Sequence, residues 1–187
     1  MKIAVYCGSA SGLTPDFMDA TRQLGHWLAE AGIDVVYGGG KVGLMGCIAD
    51  SVLEKNGRVY GVMPEYLVNK EIAHTGLTEL TVVSDMHERK ARMADMADAF
   101  VALPGGAGTL EEIFEVWTWA QLGHHQKPCA FYNTKGFYNP LMEMIRSMVS
   151  AGFLKQEYMD MLITVDTPES LLSAINQYHP PAQKWGK

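Results

Sequence analysis

Seven short apolar runs, separated by longer amphipathic stretches, are the feature that most limits how this chain can fold. Several runs are apolar throughout, which is typical of strands covered by helices on both faces. The predicted strands are 3–6, 33–37, 59–63, 80–83, 100–103, 129–132 and 163–165. Helical spacing of apolar residues predicts helices at 16–31, 44–55, 85–97, 109–122, 137–151 and 168–177. This alternation favours right-handed βαβ units and predicts an α/β fold, a doubly wound parallel sheet of about seven strands flanked by helices on both faces.

Length and composition indicate one globular domain. The chain has 187 residues, of which 48% are hydrophobic and 19% are charged. Because a domain takes roughly 150 residues, and because no linker or low-complexity tract interrupts the sequence, we expect a single domain over 1–187. The stretch 179–187 has two adjacent prolines and scattered polar residues, and we expect a flexible tail there.

Charge, hydropathy and cysteine usage exclude several classes of protein. The formal net charge is −6 and the sequence has no basic run, so we expect no nucleic-acid partner. No apolar stretch reaches the ~18 residues that a transmembrane helix needs, and the N-terminus lacks a signal-peptide pattern, so we expect no membrane association. Cys7, Cys47 and Cys129 lie far apart, without metal-ligand spacing. Three unpaired cysteines are typical of a reducing compartment, and we predict a cytoplasmic protein that binds no metal.

Glycine is concentrated in three turns, each following a predicted strand. These turns lie at 7–12, 37–46 and 103–109, and the last two lead directly into predicted helices. The carboxyl ends of parallel strands form the rim at which open α/β sheets bind ligands. Glycine lets the backbone approach an anion closely, and the start of a helix offers unpaired N–H groups. Three such turns on one rim predict a ligand that carries a phosphate.

The glycine pattern alone does not identify that ligand. Gly38, Gly40 and Gly43 fit G-x-G-x-x-G, and Glu65 follows about 20 residues later, as in dinucleotide-binding proteins. However, this pattern follows the second strand rather than the first, and simple NAD binding gives the turn at 103–109 no role. The Walker A pattern is absent from the sequence. A nucleotide is favoured, and an NAD-linked oxidoreductase remains an alternative.

Charged residues adjoin two of the predicted helices. Arg89 and Lys90 fall on the same side of helix 85–97 as its methionines, where a charge is costly unless it meets a partner. They either extend to the edge of the sheet or contact an anionic ligand. Glu112 stands three residues after Thr109, which fits a capping box. A carboxylate there could also orient water or stabilise a cation that develops on a sugar.

Two motifs resemble the signature of a known family. The segment MHERK at 86–90 and the segment PGGAGTLEE at 104–112 are similar to the paired M-x-x-R-K and P-G-G-x-G-T-x-x-E motifs of the LONELY GUY family. The turns at 7–9 and 38–46 and the stretch 119–123 also resemble that family. Its members are cytokinin riboside 5′-monophosphate phosphoribohydrolases, often labelled as lysine decarboxylases.

The resemblance implies a Rossmann-like fold, a homodimer, and hydrolysis of the N-glycosidic bond of an adenosine 5′-monophosphate derivative. The products would be the free base and ribose 5-phosphate, with no cofactor. Arg89 and Glu112 would be the catalytic pair, and water could attack directly or through a covalent adduct. The substrate-binding residues implied are Gly8, Ser9, Gly38, Gly39, Gly40, Met86, Arg89, Lys90, Gly105, Gly106, Gly108, Thr109 and Glu112.

Other functions remain alternatives at this point. The fold could serve a carrier that binds a nucleotide or cofactor without catalysis, or an AMP nucleosidase with no role in cytokinin metabolism. The base could be N6-isopentenyladenine or plain adenine, with Met45, Met86 and Trp117 as candidates to set the pocket's width. A pyridoxal-phosphate decarboxylase is rejected because no lysine has a recognisable cofactor-binding context.

Overall fold

Seven parallel strands form one sheet in a computed structural model that describes residues 1–70 and 72–181. The strands are β1 (Lys2–Tyr6), β2 (Asp34–Tyr37), β3 (Val59–Pro64), β4 (Glu79–Val83), β5 (Ala99–Ala102), β6 (Cys129–Tyr132) and β7 (Leu162–Val165). The helices are α1 (Pro15–Glu30), α2 (Gly43–Glu54), α3 (Glu65–Val68), α4 (Met86–Met96), α5 (Ala107–Gln121), α6 (Asn139–Ser150), α7 (Gln156–Met159) and α8 (Pro168–Gln177), with a short 3₁₀ turn at Thr134–Gly136.

The strand order places a ligand-binding crevice at the centre of the sheet. That order is β4-β3-β2-β1-β5-β6-β7, so the chain builds outward from β1 and then crosses back to β5. The two central strands pair in parallel, with Ala4 opposite Phe100. In such sheets ligands bind at the carboxyl ends of the strands, where the order reverses. The structure confirms the predicted α/β, Rossmann-like, doubly wound sheet.

Helices cover both faces of the sheet, which explains why several of its strands are almost entirely apolar. Along β1, Ile3 and Val5 pack into the core formed with α1, α2 and α8. Ala4 and Tyr6 pack into the opposite core, formed with α4, α5, α6 and α7. All four side chains are almost completely buried. Burial of successive residues on opposite faces removes the polar alternation seen in strands with one exposed face.

The predicted start of helix α5 is wrong, and the error changes the interpretation of Glu112. Helix α5 begins at Ala107, two residues before the predicted start, and its N-cap is Gly106, which makes no side-chain capping bond. Thr109 therefore lies within the first turn, and Glu112 lies beyond it. The capping box predicted from Thr109 and Glu112 does not form, because the glycine turn lets the helix begin inside the motif.

Two further predictions concern the tail and the membrane. The tail expected at 179–187 falls mostly on residues 182–187, which lie outside the described residues. Among the residues that the structure describes, no helix combines the length and hydropathy needed to cross a membrane.

Candidate active site

A cavity of about 530 Å³ opens at the carboxyl ends of the central strands. This volume suits a small-molecule ligand. The cavity is bordered by the turns after β1, β2 and β5 and by the first turns of α4 and α5. Of the substrate-binding residues expected from the sequence, those that line it are Gly8, Ser9, Gly38, Gly40, Met86, Arg89, Lys90, Gly106, Gly108, Thr109 and Glu112. Gly39 and Gly105 belong to the same turns but are not among the lining residues.

Backbone contacts join the three glycine turns to one another. The Gly8 N–H donates to the Pro104 carbonyl at 3.1 Å, and the Leu44 N–H donates to the Gly8 carbonyl at 3.0 Å. A β-carbon on Gly105 would lie 2.9 Å from the Gly8 nitrogen, so this close approach requires glycine. Helix α5 then begins at the cavity, and its N-cap residue, Gly106, makes no side-chain capping bond. Its first N–H groups are donors of the kind that bind phosphate.

Arg89 is a buried cation held from several directions. Helix α4, which carries it, is capped by Asp85, whose carboxylate accepts from the Glu88 N–H at 2.8 Å. The Arg89 Nε donates to the Val62 carbonyl at 3.1 Å. Its Nη1 lies 3.2 Å from the Glu112 Oε1. The guanidinium thus has a fixed position at the edge of the cavity, with a carboxylate as its partner.

Glu112 is the buried carboxyl group of the cavity. Its side chain is only 12% exposed. Burial raises the pKa of Glu112 to about 7, because the loss of hydration outweighs the opposing effect of the nearby Arg89 cation. Glu111 and Glu115 raise this pKa further, and Lys90 lowers it. A carboxyl group with a perturbed pKa beside a cation in a cleft is a candidate acid–base group.

Lys90 faces carboxylates on the neighbouring helix. Its Nζ lies 2.5 Å from the Glu111 Oε1 and 3.0 Å from the Glu115 Oε2. Burial lowers the pKa of Lys90, but the hydrogen bonds with both glutamates outweigh burial and raise it. These partners explain how a cation is tolerated on the buried side of α4. The sequence predicted that Lys90 needs a partner, and α5 supplies two, while Lys90 also lines the cavity.

One wall of the cavity is apolar, and sequence reasoning found only part of it. Its side chains come from the start of α2, from β3, α3 and α4, and from the segment after α3: Val42, Met45, Met63, Leu67, Ile72 and Met86. The segment after α3 is held against the second glycine turn, where the Lys41 N–H donates to the Ile72 carbonyl at 3.0 Å. Nothing in the local sequence marks this long-range contact. Trp117, a candidate for setting the pocket's width, instead lies in the core and donates to the Tyr158 carbonyl at 3.0 Å.

The described residues also limit whether the site could hold a metal ion or use a cysteine nucleophile. In the part of the chain that the structure describes, no cluster of three or more His, Cys, Asp or Glu side chains could hold a metal ion. Cys7 lines the cavity, but burial raises the pKa of its thiol, so the reactive thiolate is disfavoured. The Arg89–Glu112 pair can take part in acid–base chemistry, and the N–H groups at the start of α5 can bind an anion.

Comparison with known proteins gives consistent results. The model of a family described as "Possible lysine decarboxylase" matches residues 45–175. A rice (Oryza sativa subsp. japonica) protein named cytokinin riboside 5′-monophosphate phosphoribohydrolase LOG is 47% identical over 179 residues, which cover 96% of this chain and 74% of the relative. A cytokinin riboside 5′-monophosphate phosphoribohydrolase from Arabidopsis thaliana, LOG7, is 45% identical over 179 residues, covering 96% of this chain and 82% of the relative.

A solved structure with low sequence identity supports the fold alone. The molybdenum cofactor binding protein of Rippkaea orientalis superposes with a TM-score of 0.71 at 20% identity, over 94% of each chain. The family, in contrast, follows from the sequence matches. With a family model over most of its length and relatives above 40% identity, the chain belongs to the LONELY GUY family, whose model is described as "Possible lysine decarboxylase".

Proposed function

We propose that this protein hydrolyses the N-glycosidic bond of cytokinin riboside 5′-monophosphates, and of AMP, to release the free base and ribose 5-phosphate. The observation that carries the proposal is the contact of Arg89 with Glu112, 3.2 Å apart, inside a cavity bordered by three glycine turns. The relatives named for this reaction are up to 47% identical over nearly the whole chain. A carrier would not need a buried carboxyl group with a raised pKa.

The 5′-phosphate would bind at the glycine turns. Gly106, Gly108 and Thr109 line the cavity at the start of α5, where unpaired N–H groups and the helix dipole favour an anion. Gly8 and Ser9 line the adjacent turn. Binding energy from this non-reacting group can position the glycosidic bond, so nucleosides without the phosphate should be poor substrates.

The reaction breaks the bond between C1′ of ribose and N9 of the base. The electron pair leaves with the base, and positive charge develops on the ribose, as in other glycosidic cleavages. The Glu112 carboxylate would stabilise this charge and accept a proton from the attacking water, whose oxygen forms the new bond to C1′. The departing base takes up a proton from solvent to become the neutral product, and Glu112 returns its proton to solvent. Arg89 would hold the nucleotide in register and favour departure of the base. No redox cofactor, metal ion or pyridoxal phosphate has a step in this reaction.

The apolar wall of the cavity would accommodate the base and its substituent. Met45, Met63 and Met86 offer flexible, polarisable side chains, which adapt to irregular apolar groups. Such a wall favours an N6-isopentenyl chain over an unsubstituted amino group. We also propose a cytoplasmic homodimer with no nucleic-acid partner, for which the family resemblance, the cysteine usage and the net charge of −6 are the support.

Chromatography of reaction mixtures tests the proposal. The purified protein is incubated with AMP and with isopentenyladenosine 5′-monophosphate, and release of free base is measured for the native protein and for Glu112→Gln. We expect Glu112→Gln to retain nucleotide binding but to lose at least about 100-fold in base release, because the amide lacks the charge and the basicity of the carboxylate.

The matched control is Glu111→Gln, the same change one residue earlier, where the side chain is 58% exposed. This variant should keep readily measurable activity. Intact nucleotides with the native protein would contradict the proposal and favour the carrier, and equal activity of the native protein and Glu112→Gln would remove Glu112 from the reaction.

A further inference from the structure

Gly38 is a glycine that the backbone conformation does not require. It follows β2 directly and lines the cavity. Its neighbour Gly39 has a φ of +80°, in the left-handed region that favours glycine, but Gly38 is not among the residues with positive φ. An alanine could therefore adopt the backbone conformation of residue 38. Another reason must account for glycine at this position.

The space beside Gly38 is filled by the guanidinium of Arg89. A β-carbon on Gly38 would overlap the Arg89 Nη2 and lie 3.1 Å from its Cζ. It would also lie 2.7 Å from the Met45 Cε. Each of these atoms is at the far end of a flexible side chain and none belongs to the backbone. An added methyl group can thus be accommodated without moving the backbone, provided that the guanidinium leaves its position.

The other contacts of Arg89 show what such a displacement would break. Its Nε donates to the Val62 carbonyl at 3.1 Å, its Nη1 lies 3.5 Å from the Met86 Sδ, and Nη1 is 3.2 Å from the Glu112 Oε1. Gly38 closes the side nearest Nη2. The guanidinium therefore occupies a slot whose walls come from β3, α4, α5 and the turn after β2. Because the guanidinium is planar and rigid, its orientation depends on all of these contacts together.

We infer that Gly38 is a positioning residue for Arg89: the absence of a side chain at residue 38 creates the slot that holds the guanidinium against Glu112. This inference rests on the proposed function, in which Arg89 and Glu112 act on the nucleotide. It gives Gly38 a role that differs from phosphate binding by the same turn. A misplacement of about 1 Å in a catalytic group can cost about 100-fold in rate.

The test compares Gly38→Ala with Gly40→Ala. Both variants add one methyl group to the same turn and meet the Met45 side chain, which lies 3.1 Å from a β-carbon on Gly40, but only the β-carbon on Gly38 meets Arg89. The loss of kcat in Gly40→Ala measures the effect of altering the turn and serves as the baseline. We expect Gly38→Ala to lower kcat by about a further 100-fold, with a smaller change in KM. Its thermal unfolding midpoint should fall, because the displaced Arg89 loses buried partners, but the variant should still fold, because only side-chain ends move.

The pH profile separates displacement of Arg89 from a general structural effect. The Arg89 cation lowers the pKa of Glu112, so its departure should move the acid limb of kcat/KM to higher pH in Gly38→Ala and leave it in place in Gly40→Ala. The other titratable groups that interact with Glu112 are unchanged in both variants. They are Lys90 of α4, Glu111 and Glu115 of α5, and Tyr6 and Cys7 at the end of β1.

The Arg89→Lys substitution supplies the second part of the test. Lysine lacks the Nη2 atom that the β-carbon would overlap, so Gly38→Ala should cost much less in an Arg89→Lys background than in the native protein. Equal losses in both backgrounds, or equal kcat and pH profiles for Gly38→Ala and Gly40→Ala, would overturn the inference. So would a Gly38→Ala variant that fails to fold.

A failure of the proposed function can be told apart from a failure of the inference about Gly38. If the native protein releases no base from either nucleotide, the inference is tested by a crystal structure of Gly38→Ala. The distance between Arg89 Nη1 and Glu112 Oε1 should then exceed 3.2 Å clearly. An unmoved guanidinium would contradict the slot whatever the protein's activity.

Discussion

At the scale of the residue, the charge state of Glu112 controls the proposed chemistry. Burial raises its pKa to about 7, despite the opposing Arg89 cation. The carboxylate form, which can stabilise a cation and accept a proton, therefore makes up half of the population near pH 7, predominates above it and is lost as the pH falls. We expect kcat/KM to fall about tenfold per pH unit below a midpoint near 7. The profile from pH 5 to 9 is the measurement.

The substrate's own titration must be separated from that of Glu112. A phosphate monoester loses its second proton near pH 6, so the affinity of Glu112→Gln for AMP over the same pH range is the control. An acid limb near pH 4.5, the ordinary value for a glutamate, would mean that Glu112 is hydrated during the reaction or takes no part in it.

Single residues also show what a sequence can and cannot predict about a site. Arg89 and Lys90 could be singled out because a charge on a buried helix face needs a partner. Glu112 could be singled out because it stands at the start of a helix beside a glycine turn, and the two motifs assign all three residues to a family. The identity of the partners could not be derived. Lys90 is bound by Glu111 and Glu115, and this pairing depends on how α4 and α5 lie beside each other on one face of the sheet.

At the scale of the element, the capping box expected in α5 occurs in α8 instead. The Thr167 Oγ1 accepts from the Ser170 N–H at 3.2 Å, and the Ser170 hydroxyl is 3.3 Å from the Thr167 nitrogen. Removing an N-cap side chain costs about 1 kcal/mol. We expect Thr167→Ala to lower the thermal midpoint by about 2–4 °C and to leave kcat unchanged, since α8 contributes no residue to the lining of the cavity.

Differential scanning calorimetry, with kcat measured in parallel, checks this prediction. Ser173→Ala, in the interior of α8, is the matched control, because a serine within a helix caps nothing and alanine is a better helix former. A drop in kcat with Thr167→Ala would mean that α8 influences the cavity from a distance. An unchanged midpoint would mean that the cap adds nothing to stability.

Periodic elements could be predicted from the sequence, and short ones could not. All seven strands and six of the helices fall close to the predicted ranges, because their apolar residues recur at fixed spacing. Helices α3 and α7 have four residues each, too few for a period to be visible. The start of α5 was missed for a different reason, since a glycine N-cap leaves no side-chain signal.

At the scale of the whole molecule, the arrangement of the sheet follows from the alternation of elements. Right-handed crossovers between parallel strands leave few possible topologies, and a reversal of strand order creates a rim for ligands. The part of the apolar wall that the segment after α3 contributes, Ile72, was not predictable. Its contact with the second glycine turn, from Lys41 to the Ile72 carbonyl, joins segments that no local pattern relates.

The net charge of −6 opposes the approach of a nucleotide phosphate, so local groups must supply the attraction. The Lys90 charge is already balanced by two glutamates and the Arg89 charge faces Glu112, which leaves the N–H groups at the start of α5. If they bind the phosphate, AMP at 100 times its Kd should stabilise the non-hydrolysing Glu112→Gln variant by about 2.7 kcal/mol. This corresponds to roughly 5–11 °C in the thermal midpoint.

Adenosine at the same concentration should give a much smaller shift, because it lacks the phosphate. Equal shifts would contradict phosphate binding at the turns, and a larger shift with NADH would favour a dinucleotide-binding oxidoreductase.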